Sequence, residues 1–241
     1  MSKKKALKRR EIDDDFEESF NNNWLLNFNI RKPFYFNPLH REFYEKCIDK
    51  DTNMVLVDGP AGSMKTYIAV YSALQQLRDN VFEKIIYIRS VAESAEQSLG
   101  HLPGEIDEKF SPYAMPLIEK VREATSNSTA MMLQHKGLIE AIPVNFVRGL
   151  TFNNSIVIVD EAQNLTRKEL TTILTRFGRD SRYIICGDCN QSDIPSSGFA
   201  DVFNRFDKQE SEDNKIFAFE FGESEISRSK ILRFICNVLE A

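Results

Sequence analysis

The stretch from Met54 to Thr66 constrains this chain more than any other. A short apolar run, Met54-Val55-Leu56-Val57, ends at Asp58 and passes at once into Gly59-Pro60-Ala61-Gly62-Ser63-Met64-Lys65-Thr66, and then into a helical stretch reaching about Arg78. Strand, glycine loop and helix in that order are the context a phosphate-binding loop demands. In such a loop the backbone N–H groups and the positive end of the following helix surround phosphate oxygens. Lys65 then reaches the β and γ phosphates, and the Thr66 hydroxyl ligates magnesium. Met64 is a departure, because the usual pattern has glycine immediately before the lysine. A left-handed backbone at that position costs a side chain roughly 1–2 kcal/mol, whereas a helical one costs little. A coincidental loop that binds nothing is the alternative reading of this motif taken alone.

A second motif narrows the choice. Ile156-Val157-Ile158-Val159 ends in Asp160-Glu161-Ala162-Gln163, so a buried strand delivers two carboxylates to the carboxyl edge of a sheet, where open α/β sheets bind ligands. Asp160 is placed to hold magnesium, directly or through water, and Glu161 to orient or deprotonate an attacking water. A third strand, Arg182-Tyr183-Ile184-Ile185-Cys186, runs into Gly187-Asp188-Cys189-Asn190-Gln191. Gln191 can hydrogen-bond a γ-phosphate or the lytic water, and an ordinary polar turn is equally compatible with the spacing. Cys186 and Cys189 form a CxxC, but a zinc site usually needs a second Cys or Cys/His pair.

The chain of 241 residues is long enough for one sizeable core. Residues 1 to 30 are blocked into basic and then acidic runs and are expected to form a charged arm, leaving 31–241 as the domain. From Pro38 onward strands alternate with helices, which predicts an α/β fold with a mostly parallel sheet covered on both faces. Strands are expected at Met54–Asp58, Lys84–Arg89, Asn145–Arg148, Ile156–Asp160, Arg182–Cys186 and Lys215–Phe221. Thr166 and Glu169 make a capping box ahead of a helix. A last helix from about Ser227 should dock a stripe of Ile231, Leu232, Phe234, Ile235, Val238 and Leu239 on the sheet. The net charge of −5 excludes a broadly basic surface, so any nucleic-acid site must be a local patch. The apolar runs are too short to span a membrane, and few, scattered cysteines fit a reducing compartment such as the cytoplasm.

With these motifs in order, the chain resembles the PhoH-like family, whose P-loop core is similar to the first RecA-like lobe of superfamily-one helicases. Further residues carry the resemblance: Arg89-Ser90-Val91, Leu99-Gly100-His101-Leu102-Pro103-Gly104, Pro112-Tyr113, Pro116-Leu117, Arg148-Gly149-Leu150-Thr151, Asp160-Glu161-Ala162-Gln163-Asn164, and Gly187-Asp188 with Gln191 and Asp193. The resemblance implies ATP binding and hydrolysis with Mg2+, and helicase-like action on single-stranded RNA or DNA, RNA first. It implies a compact ATPase core of the type common in bacteriophage genomes. Arg228 stands where the family has an arginine finger, acting within its own or a neighbouring subunit. Arg89 and Arg148 follow strand ends and are candidates for nucleotide or nucleic-acid phosphate. His40 falls where helicase-like relatives place a glutamine that reads adenine, and Leu150 replaces a second arginine. Because one lobe cannot close around a strand, motor work would need a homo-oligomer, a ring such as a hexamer. Two rival classes stay open: an ATP-dependent interaction or assembly switch, and a small-molecule kinase, in which the Gln191 motif has no evident role.

Overall fold

Successive residues of the central strands part into two apolar layers, and that alternation builds the molecule. Val55 and Val57, Ile85 and Tyr87, and Ile156 and Ile158 pack into one layer; Leu56, Ile86 and Ile88, and Val157 and Val159 pack into the other. Strands buried on both faces read as continuous apolar runs, and each such side chain contributes about 1.5–3 kcal/mol on burial. The computed structural model describes residues 28–32, 37–90 and 106–227, together with Ile231 and Val238.

In chain order the elements are α1 (Pro38–Ile48), β1 (Met54–Asp58), α2 (Lys65–Arg78), β2 (Lys84–Arg89), α3 (Ile106–Ala124), α4 (Asn127–His135) and β3 (Ile139–Pro143). After β3 come β4 (Ser155–Asp160), α5 (Arg167–Leu174), β5 (Arg182–Gly187), α6 (Phe199–Phe206), α7 (Gln209–Asp213) and β6 (Ile216–Glu220). The six strands form one sheet in the order β3-β2-β4-β5-β1-β6, and every pairing is parallel. Helices cover both faces: α1 to α4 contribute to the first layer, and α5 and α6 to the second. The doubly covered α/β fold with a P-loop after its first strand is therefore present. The Thr166–Glu169 capping box is formed in full at the start of α5.

One expected strand is misplaced. Residues 145–148 are not a strand; the strand is β3, and it gives way to a 3-10 turn over Val144–Phe146. β3 lies at the sheet edge, where Glu140 is exposed and Ala141 and Ile142 only half-buried, so it lacks the dense apolar run of an inner strand. Proline is tolerated at its end for the same reason, since an edge leaves N–H groups unpaired. The last expected helix falls outside the described residues, except that Ile231 and Val238 are helical and about 60% exposed (61% and 59%). The expected arm likewise lies outside the described residues save for 28–30, of which Phe28 is buried in the first layer. Among the described residues no helix is long and apolar enough to cross a membrane.

The end of the sheet opposite the glycine loop is tied by a buried cation. Arg182, at the start of β5 and only 2% exposed, donates to the carbonyls of Cys47 (2.7 Å), Asp49 (2.5 Å) and Thr52 (2.9 Å), and to the Gln76 side chain. Gln76 in turn donates to the Cys47 carbonyl at 3.0 Å. Cys47 and Asp49 lie at the end of α1, where carbonyls lack helical partners, and Thr52 lies in the loop beyond, so the guanidinium caps α1 and complements its negative pole. Replacing Arg182 by Met strands several buried carbonyls. It should lower the unfolding free energy by at least about 3 kcal/mol in urea titrations, with the fold otherwise retained.

Candidate phosphate-binding site

The loop between β1 and α2 has its carbonyls turned inward and held by protein donors. Lys65 Nζ donates to the carbonyls of Gly59 (2.5 Å) and Pro60 (2.9 Å), and the Ser63 hydroxyl also donates to Pro60 (2.8 Å). The Gly62 carbonyl accepts from the Ser227 N–H at 3.2 Å, and the Ser63 carbonyl faces His40 Nε2 at 2.9 Å. A carbonyl only accepts, so His40 must carry its proton on Nε2. With the carbonyls held back, the N–H groups of Ala61, Gly62, Met64, Lys65 and Thr66 have no acceptor among the described residues. Such a concavity of unpaired N–H groups at a helix N-terminus attracts an anion.

Two backbone requirements shape the loop. Gly59 lies so close to the end of β6 that a Cβ would stand 2.6 Å from Phe221 Cβ, and Gly62 has φ +83°. Met64 is itself left-handed (φ 65°, ψ 11°), so the costly alternative applies and the loop carries roughly 1–2 kcal/mol of backbone strain there. Its side chain packs against the first apolar layer, which offsets part of that strain.

Strand parity carries Asp160 to the same side as Ile156 and Ile158, the side on which α2 lies. Thr66 Oγ1 donates to Asp160 Oδ1 at 2.6 Å, joining the loop to the end of β4. The second carboxylate oxygen accepts from Tyr87 Oη at 2.5 Å, and Tyr87 is buried on β2. Burial, and then the Asp160 charge, push the Tyr87 hydroxyl far above its ordinary range, so it stays a donor. Immediately after, Glu161 takes a left-handed backbone (φ 51°, ψ 44°) that ends β4 and turns its carboxylate into the cavity. One Glu161 oxygen lies 3.9 Å from the Arg89 guanidinium, and the other accepts from Gln163 Nε2 at 2.6 Å.

β5 separates β4 from β1, so its terminal loop rises between the glycine loop and the carboxylates. That loop is fastened on both sides. The Cys189 N–H donates to Asp58 at 2.8 Å, and the Asp188 N–H donates to Gln163 Oε1 at 3.1 Å. Asn164 and Asp193 exchange two hydrogen bonds, at 2.7 and 2.8 Å. Gln191 is exposed and lines the cavity. Both thiols of the CxxC are raised by burial, Cys189 to about 12, so they remain protonated. That is the wrong state for a metal ligand.

A cavity of about 770 Å3 gathers these groups. Ala61 to Thr66, Asp160, Glu161, Gln191 and Arg89 all line it. Residues on which the motifs are silent line it as well: Arg31, Lys32, Tyr67, Lys120 and Glu123. Gly59 and Pro60 lie beneath the loop, serving as carbonyl acceptors for Lys65. His40 stands behind the loop, 2% exposed, packed edge-on against Phe221 and outside the cavity wall. Arg148 is exposed beyond β3 and does not line the cavity, and Arg228 lies outside the described residues. Tyr87 and Gln163 are the polar residues that motif reading passed over. Tyr87 shares the strand parity of Asp160, and Gln163 sits two residues beyond Glu161, but neither pattern discloses a partner on another strand.

Thr66 and Asp160 present oxygen donors suited to a hard cation such as Mg2+. Among the described residues no cluster of three or more His, Cys, Asp or Glu is present that could hold a metal by itself. Such an ion would draw the rest of its shell from water and substrate phosphate, as Mg2+ ordinarily does.

The family model described as PhoH-like protein matches residues 37–240. The chain is 40% identical to the PhoH-like protein of Bacillus subtilis (strain 168) over 146 residues, covering 61% of this chain and 46% of that protein. It is 35% identical to Protein PhoH of Escherichia coli (strain K12) over 193 residues, covering 78% of this chain and 53% of that protein. The chain thus spans about half the length of the curated relatives it matches. Among solved structures it is similar to the large terminase from a thermophilic bacteriophage, with a TM-score of 0.49 and 11% identity, covering 86% of this chain and 50% of that one.

Two outcomes check this geometry. Tyr87→Phe leaves one Asp160 oxygen without its buried donor and should cost about 1–3 kcal/mol of stability by denaturant titration. Burial lowers the pKa of His40, against opposing effects of the Ser63 carbonyl and the Glu225 charge. As pH falls, the unfolded chain therefore takes up this proton first, and the stability present above the ordinary value of about 6.5 is lost below it. His40→Gln can keep a donor for Ser63 and removes the titration, so wild type should lose stability relative to this variant between about pH 7.5 and pH 5.5.

Proposed function

This chain belongs to the PhoH-like family, and from that premise we propose that it binds ATP with Mg2+ and hydrolyses it in the cavity between the glycine loop and the end of β4. The observation that carries the reading is the Thr66–Asp160 hydrogen bond of 2.6 Å, set between a ring of unpaired N–H groups and the Glu161 carboxylate. Loop N–H groups and Lys65 bind the phosphates, Lys65 exchanging the carbonyls of Gly59 and Pro60 for phosphate oxygens. Thr66 and Asp160 hold Mg2+, directly or through water, and when bound the ion neutralises charge on the phosphates. Glu161, oriented by Gln163 and Arg89, accepts a proton from the water that attacks the γ-phosphorus as the bond to ADP breaks. Gln191 reaches the γ-phosphate or that water. His40 acts through the Ser63 carbonyl, shaping the loop. Arg228 supplies a finger from its own or a neighbouring subunit.

Coupling to single-stranded nucleic acid, RNA first, is the second part of the reading. Net charge does not favour it, but local chemistry does. Arg31, Lys32 and Lys120 line the cavity, Lys120 paired with Glu123 at 3.2 Å, and Arg148 is exposed between Phe146 (54% exposed) and Leu150 (39%). Cations with an exposed aromatic ring suit a phosphodiester backbone and a stacked base. Strand work by one such lobe requires a homo-oligomeric ring, and the free Cys47, Cys186 and Cys189 suit a reducing compartment such as the cytoplasm. An ATP-dependent assembly switch is the rival, and the strained Met64 favours it, since strain in the loop suits retention more than fast turnover.

Lys65→Ala should remove nucleotide binding, whereas Glu161→Gln should keep it and lower kcat by about 10²–10⁴ in an Mg2+-dependent phosphate-release assay. A Glu161→Gln variant as fast as the parent sinks the assignment of the base. Single-stranded RNA titrated into the same assay at low salt should raise the rate if the protein is a motor. An unchanged rate identifies the switch.

A further inference from the structure

Gln163 is positioned to do more than fill space at the end of β4. It is 5% exposed, lines the cavity, and uses both ends of its amide. The Asp188 N–H can only donate, so it fixes Oε1 toward the β5 loop. The amide has two ends, and fixing one fixes the other: Nε2 must face Glu161, which it reaches at 2.6 Å. The Gln163 carbonyl also accepts from Ser192 on that loop at 3.1 Å. The polarity of one amide is thus set by the backbone of the segment that carries Gln191, and it sets in turn which way the Glu161 carboxylate points.

We infer that Gln163 is a positioning residue linking the lytic carboxylate to the Gln191 loop, so that a shift of that loop on meeting a γ-phosphate alters the aim of Glu161. The inference rests on the hydrolytic reading and deepens it. Both ends of the Gln163 amide are engaged by protein groups. It acts by giving Glu161 a single orientation, and it joins two groups that motif reading treats as separate.

Gln163→Glu is the informative substitution, because it is isosteric. It can still accept from the Asp188 N–H, but as a carboxylate it has no donor for Glu161 and repels it. Its kcat should fall about 10²-fold, within the range of a misplaced general base, while the KM for ATP stays nearly unchanged. The affinity for ADP should stay near that of the parent, whereas the urea midpoint should fall, because a carboxylate replaces a buried amide beside Glu161. Gln163→Ala supplies a second reading, and combining it with Gln191→Ala should lower kcat no further than the worse single variant, since residues acting as a unit are not additive. Retained kcat in Gln163→Glu, a loss matched by an equal rise in KM, or additive losses in the double variant would each overturn the link. If the parent turns over no ATP, the hydrolytic reading falls first and takes the link with it. An active parent with an equally active Gln163→Glu removes the link alone.

Discussion

The 2.6 Å hydrogen bond between Thr66 and Asp160 joins residues 94 apart in sequence, and it depends on nearly everything else in the molecule. Thr66 is delivered by β1 and its loop, Asp160 by β4, and β5 lies between the two strands. The pair meets only if β1, β5 and β4 run parallel in the observed register and α2 lies on the face to which Asp160 points. A slip of one residue in β4 would turn that carboxylate toward α5 and α6, because strand side chains alternate with a period of two. Tyr87 on β2 fixes the other oxygen of Asp160, so four strands converge on one carboxylate. Register in this sheet is a functional quantity as well as a structural one.

Strain and its support sit in the same place. Of the described non-glycine residues with positive φ, Asn80, Asn154 and Asp180 belong to types that tolerate a left-handed backbone; of the others, Met64 and Glu161 face the cavity, and Lys215 lies just before β6. Such conformations persist where their surroundings over-determine them. Met64 is held by the tied carbonyls of its loop and by packing on the first layer. Glu161 is held by the 3-10 turn behind it and by the Gln163 amide. At the far end of the sheet, Arg182 anchors α1 and α2 to β5. The segments under strain therefore rise from a base clamped at its opposite edge.

Much of this was legible in the linear chain, for a physical reason. β1, β4 and β5 are buried on both faces, so their sequences are continuous branched apolar runs, and their polar ends mark the carboxyl edge of the sheet. The glycine loop declares itself because close approach to Phe221 excludes a Cβ at Gly59 and positive φ favours glycine at Gly62. β3 escaped because it is an edge strand, half-exposed and ending in proline, and the nearby apolar pair Phe146-Val147 imitated a strand while forming a turn.

Read alone, the linear chain specified the inner strands, the phosphate-binding loop, the carboxylate pair after β4 and the class of fold, because each rests on local chemistry or on a short periodic pattern. Which groups meet was settled only on folding. The packed sheet put His40 behind the loop instead of in the cavity wall, brought Arg89 to Glu161 and left Arg148 outside, placed Tyr87 under Asp160, and turned Gln163 between Glu161 and the β5 loop. Those relations cross strands that are distant in sequence, and a hydrogen bond between distant segments leaves no trace in the pattern of either one.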